Sequence, residues 1–196
     1  MTDVRRLAVF CGSNPGARPE YTDGVRALGK ALCERGIGVV YGGSSVGLMA
    51  TLADTMLDEL GDIIGVIPKV LVEREVANTA LDDLRVVGSM HERKALMAEL
   101  ADGFLALPGG IGTLEEFFEV WTWGQLGMHA KPCGLLNIAG YFDPLLAFLD
   151  RAVGERFVRQ AHRDMVIVDS DPRKLLDRFA VYEPPRVVKW VNAGTI

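Results

Sequence analysis

The sequence is short of the residues that mark most special-purpose chains. Its 196 residues hold three cysteines, Cys11, Cys33 and Cys133. Their spacing is not that of a metal site, and an odd count leaves no disulfide framework, so reduced structural thiols in the cytoplasm are the expectation. No run reaches the ~18 uninterrupted apolar residues of a membrane span, because glycines and charges intervene. The N-terminal Met1-Thr2-Asp3-Val4-Arg5-Arg6 leads into a short strand with no apolar segment of signal-peptide type. A formal net charge of −5 gives no basic footprint for nucleic acid. The three histidines, His91, His129 and His162, share no metal-ligand spacing and are expected at the surface or at helix ends. No Ser-His-Asp arrangement with a nucleophile-elbow sequence is present.

What is there is a core: 49% of the residues are hydrophobic, enough for one globular domain of this length. Short apolar runs alternate with helical patterns. Strands are predicted at Leu7–Phe10, Gly38–Val40, Ile63–Ile67, Leu84–Val87, Phe104–Leu107, Gly134–Asn137 and Met165–Val168. Helices are predicted near Tyr21–Arg35, Leu48–Leu60, Ser89–Ala101, Thr113–Leu126, Pro144–Val153 and Pro172–Phe179. Such alternation argues for an α/β fold: a single doubly wound, Rossmann-like domain with a mostly parallel sheet of about seven strands. Residues 1–182 are assigned to that domain. Residues 183–196, with Pro184-Pro185, are assigned to a C-terminal arm carrying a short extended piece, Val187–Val191.

In such folds ligands bind outside the carboxyl ends of the strands. Three of those ends carry glycine and hydroxyl residues: Cys11-Gly12-Ser13-Asn14-Pro15-Gly16, Tyr41-Gly42-Gly43-Ser44-Ser45-Val46-Gly47, and Pro108-Gly109-Gly110-Ile111-Gly112-Thr113-Leu114-Glu115-Glu116. A glycine-rich turn from strand to helix lets a phosphate approach bare backbone N–H groups at the positive end of the helix dipole. The third turn also brings the carboxylate of Glu116, which is expected within the first helical turn. Neither common nucleotide fingerprint fits. Gly110-Ile111-Gly112 is followed by Glu115 where a dinucleotide motif needs glycine, and Gly43 and Gly47 lack the following Gly-Lys-Ser/Thr of a P-loop.

Charged residues stand in unexpected places. On the helix near Ser89, Met90, Met97, Leu100 and Ala101 share one face with Arg93 and Lys94, while Glu92, Ala95 and Glu99 occupy the other. Two cations on an apolar face need anions to meet them. Either acidic neighbours pair with them or they snorkel past the methionines, or, the sharper reading, they clamp a phosphate at the same sheet edge as the glycine turns. Glu116 also has two readings. Thr113-Leu114-Glu115-Glu116 fits a capping box, which would make Glu116 a structural cap and Glu115 solvent surface. Alternatively, the stripe Leu114, Phe117, Phe118, Trp121 leaves Glu116 on the far side with Val120 and Trp123. That second apolar patch implies a helix sandwiched against another subunit, with Glu116 partly enclosed.

Met90-His91-Glu92-Arg93-Lys94, followed fourteen residues later by the Pro108–Glu116 motif, resembles the LOG ("Lonely Guy") family. Its members are cytokinin riboside 5′-monophosphate phosphoribohydrolases, many once mislabelled lysine decarboxylases. The resemblance extends to Phe10-Cys11-Gly12-Ser13, Tyr41–Met49 and Thr122-Trp123-Gly124-Gln125-Leu126-Gly127. It implies hydrolysis of the N-glycosidic bond of an N6-substituted AMP to free base and ribose 5-phosphate, with no metal or organic cofactor. Carried over by position, Arg93 and Glu116 are the catalytic pair. Substrate-binding positions fall on Ser13, Gly43, Glu75, Met90, Arg93, Lys94, Gly109, the run Gly110, Ile111, Gly112, Thr113, Leu114, Glu115, Glu116, and Thr122. A nucleoside 5′-monophosphate is then the small-molecule partner, in a homodimer with the site near the subunit interface. Two positions depart from the family pattern: Ser89 stands where aspartate often precedes Met-His, and Ala50 replaces a usual glycine. Two rival readings remain open here. A pyridoxal-phosphate decarboxylase would use Lys94 as its Schiff base. A non-catalytic carrier of the molybdenum-cofactor type would need the glycine turns alone.

Overall fold

The computed structural model describes residues 4–73 and 76–185. The apolar runs form seven strands: β1 (Arg6–Phe10), β2 (Gly38–Tyr41), β3 (Ile63–Pro68), β4 (Asp83–Val87), β5 (Gly103–Ala106), β6 (Cys133–Leu136) and β7 (Val166–Asp169). They pair in the order β4-β3-β2-β1-β5-β6-β7, every pair parallel. This is the doubly wound sheet expected, with boundaries within a residue or two. The strand order reverses between β1 and β5, where Val9 lies opposite Tyr41 on one side and Leu105 on the other.

The crossovers are α1 (Pro19–Glu34), α2 (Gly47–Asp58), α3 (Lys69–Val72), α4 (Met90–Leu100), α5 (Ile111–Leu126), α6 (Asp143–Gly154), α7 (Gln160–Arg163) and α8 (Pro172–Ala180). Proline opens α1, α6 and α8, where its missing N–H costs nothing. Gly127, at φ 71°, closes α5. The short α3, α7 and a 3-10 turn at Ile138–Gly140 escape sequence reading because one turn shows no periodicity. The extended piece expected at Val187–Val191, with all of the arm beyond Pro185, lies outside the described residues.

Alternation along the strands sorts the core into two layers. Leu7, Val9, Val39, Tyr41 and Leu105 pack against α1, α2 and α8 through Leu28, Leu32, Leu52, Met56 and Phe179. Ala8, Phe10, Val40, Val66 and Phe104 pack on the other face against α4, α5 and α6 through Met97, Phe117, Val120, Trp121 and Leu149. Two histidines depart from expectation. His162 is buried, its carbonyl accepting from Trp121 Nε1, and His129 is half-buried with its Nε2 on the Val120 carbonyl. Among the described residues no helix is long and apolar enough to cross a membrane.

Phe104 is fully buried on a central strand, stacked on Phe10 and tilted against His129. Phe104→Ala is expected to cost about 3–5 kcal/mol, read as a lower urea midpoint with little change in slope.

Candidate active site

The carboxyl ends of β1, β2 and β5 meet at the switch point, and two hydrogen bonds tie their turns together. Gly12 N donates to the Pro108 carbonyl at 3.0 Å, and Leu48 N donates to the Gly12 carbonyl at 3.0 Å. After β5 the chain enters α5 with Gly110 as its N-cap and no side-chain cap. The first bond of the α5 ladder that spans this end is Leu114 N to the Gly110 carbonyl, at 3.2 Å. The N–H groups of Ile111, Gly112 and Thr113 therefore have no partner in the helix and present themselves to an anion.

This start corrects two expectations for Glu116. Thr113 lies inside the helix and is not its N-cap, so Glu116 falls in the second turn and the capping box does not form. The buried face of α5 is Thr113, Glu116, Phe117, Val120, Trp121 and Gly124. Glu116 and Val120 thus face the core of their own chain, where the sequence stripe had placed them on the far side. Leu114 and Phe118 are the flank, only half-buried. Thr113 comes close under Gly109, where any Cβ would collide with its hydroxyl.

Opposite Glu116 stands α4, capped by Ser89, whose side chain accepts from Glu92 N at 3.1 Å while Glu92 reaches back to Gly88 N at 2.6 Å. That cap sends Arg93 and Lys94 inward together, both buried. They part company there. Arg93 Nη2 lies 3.0 Å from Glu116 Oε1, with both side chains about nine-tenths buried. Lys94 Nζ instead donates to Glu115 Oε1 at 2.6 Å and lies 2.9 Å from Glu119 Oε2. Both cations are therefore met by carboxylates of α5, the acid-paired alternative, and Lys94 is turned away from the phosphate clamp expected of it. Arg93 reaches its place because residue 42 is glycine: a Cβ there would fall on the guanidinium.

Two adjoining lobes of about 270 Å³ each form the cleft. The first is lined by Cys11, Ser13, Met49, Met90, Arg93, the Gly110–Thr113 turn and Glu115-Glu116. The second is lined by the Gly12–Gly16 turn, Tyr21, Leu48, Pro108–Gly110 and Tyr141. Ser13 and Gly110 belong to both. Of the residues expected at the site, Ser13, Met90, Arg93, Gly109, Gly110, Ile111, Gly112, Thr113, Glu115 and Glu116 line it. Met90 stands exposed at its mouth, not in the core as its face suggested.

Others do not reach the cleft. Gly43 is packed under Ile67 and Leu84. Leu114 flanks α5, and Lys94 lies behind its carboxylates. Thr122 is exposed on α5, its hydroxyl on the Phe118 carbonyl, roughly 9 Å down the axis from Glu116. Glu75 lies outside the described residues. Sequence reading missed Tyr21, Tyr141, Met49 and Cys11. Cys11 and Met49 lay within stretches already singled out, the first glycine turn and Tyr41–Met49, whereas Tyr21 and Tyr141 carried no signal. Among the described residues no three His, Cys, Asp or Glu side chains gather as a metal site.

The profile of the family described as possible lysine decarboxylase matches residues 49–179. A cytokinin riboside 5′-monophosphate phosphoribohydrolase of Oryza sativa subsp. japonica is 49% identical over 92% of this chain and 74% of its own. One of Arabidopsis thaliana is 46% identical over 92% of this chain and 83% of its own. Among solved structures, the molybdenum cofactor binding protein of Rippkaea orientalis superposes with a TM-score of 0.67 at 22% identity. That match covers 90% of this chain and 96% of the other. The molybdenum cofactor carrier protein of Chlamydomonas reinhardtii gives 0.65 at 21%, over 88% and 98%. At such identity these two share the fold alone.

The site's electrostatics follow from its burial. Desolvation pushes the Glu116 carboxyl above the ordinary glutamate value, opposed chiefly by Arg93, with Glu115 and Glu119 adding to the rise and Lys94 opposing it. Burial would lower Lys94, but its hydrogen bonds to Glu115 and Glu119 prevail and hold the ammonium above its usual range. A Schiff-base lysine needs the opposite. The Cys11 thiol is pushed up by burial and then by the Glu116 charge, and stays protonated. Arg93 Nε is buried without a hydrogen-bond partner, a cost of about 1–3 kcal/mol.

Lys94→Gln is expected to move the Glu116 carboxyl titration further upward, followed by carbon NMR against the wild type. The folded value lies above the ordinary 4.5, so this group favours folding below that pH and the benefit is lost as pH rises through the folded value. The variant's thermal midpoint should therefore fall further behind the wild type's as the pH is raised above the ordinary carboxylate range.

Proposed function

The chain belongs to the LOG family, matched under the description possible lysine decarboxylase, and on that premise we propose that it is a nucleoside 5′-monophosphate phosphoribohydrolase. Its reaction is hydrolysis of the N-glycosidic bond of AMP or an N6-substituted AMP, such as a cytokinin riboside 5′-monophosphate, to free base and ribose 5-phosphate. The observation that carries the reading is the buried Arg93–Glu116 pair at 3.0 Å, set in the wall of a cleft whose next residues are the free N–H groups of α5. A site built only to hold an anion gains nothing from a second charge of the anion's own sign.

The 5′-phosphate sits on the Gly110–Thr113 turn with Ser13 beside it, at the positive end of the α5 dipole. The ribose then lies over Glu116, and the base against Met49, Met90 and Ile111. Cleavage of an N-glycoside passes through a ribosyl cation, as in sugar hydrolysis. Glu116 stabilises that cation and takes a proton from water; the hydroxyl adds to C1′, the C1′–N bond breaks, and the leaving base takes up a proton. Arg93 holds Glu116 ionised and in place. A nucleoside without phosphate reacts poorly, because the phosphate's binding energy positions the sugar. The methionines and Ile111 form an apolar wall that suits an isoprenoid on N6 as well as bare adenine.

The protein acts as a homodimer in the cytoplasm, as one domain over residues 1–182 with residues 183–196 as an arm. Three thiols free of disulfides suit a reducing compartment. The exposed apolar residues at the two ends of α5 support the dimer: Ile111, 88% exposed, opens the helix, Leu126 ends it and Met128 follows just past it. Exposed apolar residues of this kind suit a second copy better than water. Thr122 is exposed on the same helix, where it can serve the partner's cleft and not its own.

Incubation with AMP or N6-isopentenyl-AMP is expected to release free base and ribose 5-phosphate, with CMP and GMP as controls for the base. Glu116→Gln should reduce turnover by at least a hundredfold while the protein stays folded; near wild-type turnover would remove Glu116 from the chemistry. The acid limb of kcat/KM should lie above the ordinary carboxylate range, since Glu116 must be ionised and its pKa is raised. Leu126→Glu should shift the species in light scattering from dimer to monomer.

A further inference from the structure

Beyond the catalytic pair, one contact in the second lobe of the cleft has no role in the chemistry. Tyr141 Oη donates to the Gly109 carbonyl at 2.5 Å. The phosphate turn follows β5, whereas Tyr141 belongs to the turn after the neighbouring strand β6. An unusual stretch of backbone delivers it. Ala139 has φ 53° and Gly140 φ 72°. Two left-handed residues in succession are costly, and for alanine such a conformation stores strain of order 1–3 kcal/mol. The segment is held in spite of that. Phe142 N donates to Asn137 Oδ1 at 2.7 Å, and Asn137 Nδ2 donates to Asp143 Oδ1 at 2.7 Å. The Tyr141 ring is set edge-on against Tyr21 and Phe142, at 5.6 and 5.1 Å. A turn strained at alanine and braced on both sides is built to hold its next side chain in one place.

What that side chain holds is a peptide between two glycines. Gly109-Gly110 is flanked by no Cβ, so its plane can flip more easily than any other in the turn. A flip would exchange the Gly110 N–H for the Gly109 carbonyl oxygen at the N-cap of α5, one residue before the free N–H groups of the helix, and so set a negative dipole against an anion held there. In a trans peptide the two groups point in opposite directions. With the Gly109 carbonyl taken by the tyrosine, the Gly110 N–H is sent the other way and stays there.

We propose that Tyr141 is a positioning residue for the substrate's phosphate: its hydroxyl locks the Gly109–Gly110 peptide in the orientation that offers N–H groups to the anion. This rests on the phosphoribohydrolase reading for the identity of the anion. Tyr141 touches the turn and takes no part in breaking the glycosidic bond. The lock therefore acts on phosphorylated ligands and leaves unphosphorylated ones alone.

The test uses Glu116→Gln protein, which binds without turnover, with and without Tyr141→Phe, a change that keeps the ring and its packing. Titration calorimetry with AMP and with inorganic phosphate should show affinities roughly threefold to tenfold weaker in the double variant, while adenosine binds both alike. In the active enzyme, Tyr141→Phe should lower kcat/KM for the monophosphate by the same factor, through a higher KM more than a lower kcat. Equal affinity for AMP and phosphate in both proteins would overturn the proposal, as would an equal loss for adenosine, the mark of a merely structural tyrosine. If the wild type cleaves no monophosphate yet binds phosphate in a Tyr141-dependent way, the reaction assigned above fails and the lock stands.

Discussion

The site depends on one buried ion pair, Arg93 with Glu116, joining α4 to α5 across the end of the sheet. Two charges so far from water survive only with each other, and removing either would leave its partner uncompensated, a loss of about 3–5 kcal/mol. Much of the local structure can be understood as making room for them. Gly42 keeps the space the guanidinium fills, and Ser89 caps α4 so that its first turn points Arg93 inward. The start of α5 at Ile111 places Glu116 on the inward face. Lys94, one residue on, neutralises Glu115 and Glu119 on either side of Glu116. Five charged side chains are thereby arranged so that the carboxylate nearest the cleft keeps the least company of its own sign.

Around that pair the cleft divides its tasks by element. The N–H groups of α5 are a fixed partial positive charge that costs no desolvation of a side chain. The turns after β1 and β5 are tied to each other through Gly12 and Pro108, and the turn after β6 reaches back through Tyr141. Three neighbouring strands spanning the switch point thus converge on one short glycine segment. Glycine grants the backbone access to an anion but also frees it to move; the neighbouring turns supply the stiffness that the segment lacks.

How much was legible from the chain alone varied with the range of the force involved. The seven strands were readable because a strand buried on both faces is a short apolar run, and Leu7–Phe10 or Phe104–Leu107 can be little else. Helix positions were readable from periodicity, but the rotation of α5 was not. Leu114 and Phe118 outrank Glu116 in hydrophobicity, so the stripe was drawn through them. The fold buries Glu116 because Arg93 waits on α4, and no local pattern on α5 carries that. The same holds for Lys94, whose partners lie twenty-one and twenty-five residues away. Tyr141 gave no signal, since an aromatic after glycine reads as a turn like any other.

The sequence by itself determined the layered α/β fold, the sheet edge where the cleft opens and the glycine turns that line it. These depend on neighbours along the chain and on the alternation of apolar and polar residues. Through its motifs it also indicated the pair Arg93 and Glu116. Only the tertiary structure decided which cation serves which carboxylate, which face of α5 is inner, and which distant side chain holds the cradle still. Those outcomes turn on distances of about 3 Å between residues far apart in sequence, and a pattern along one chain contains no such distance.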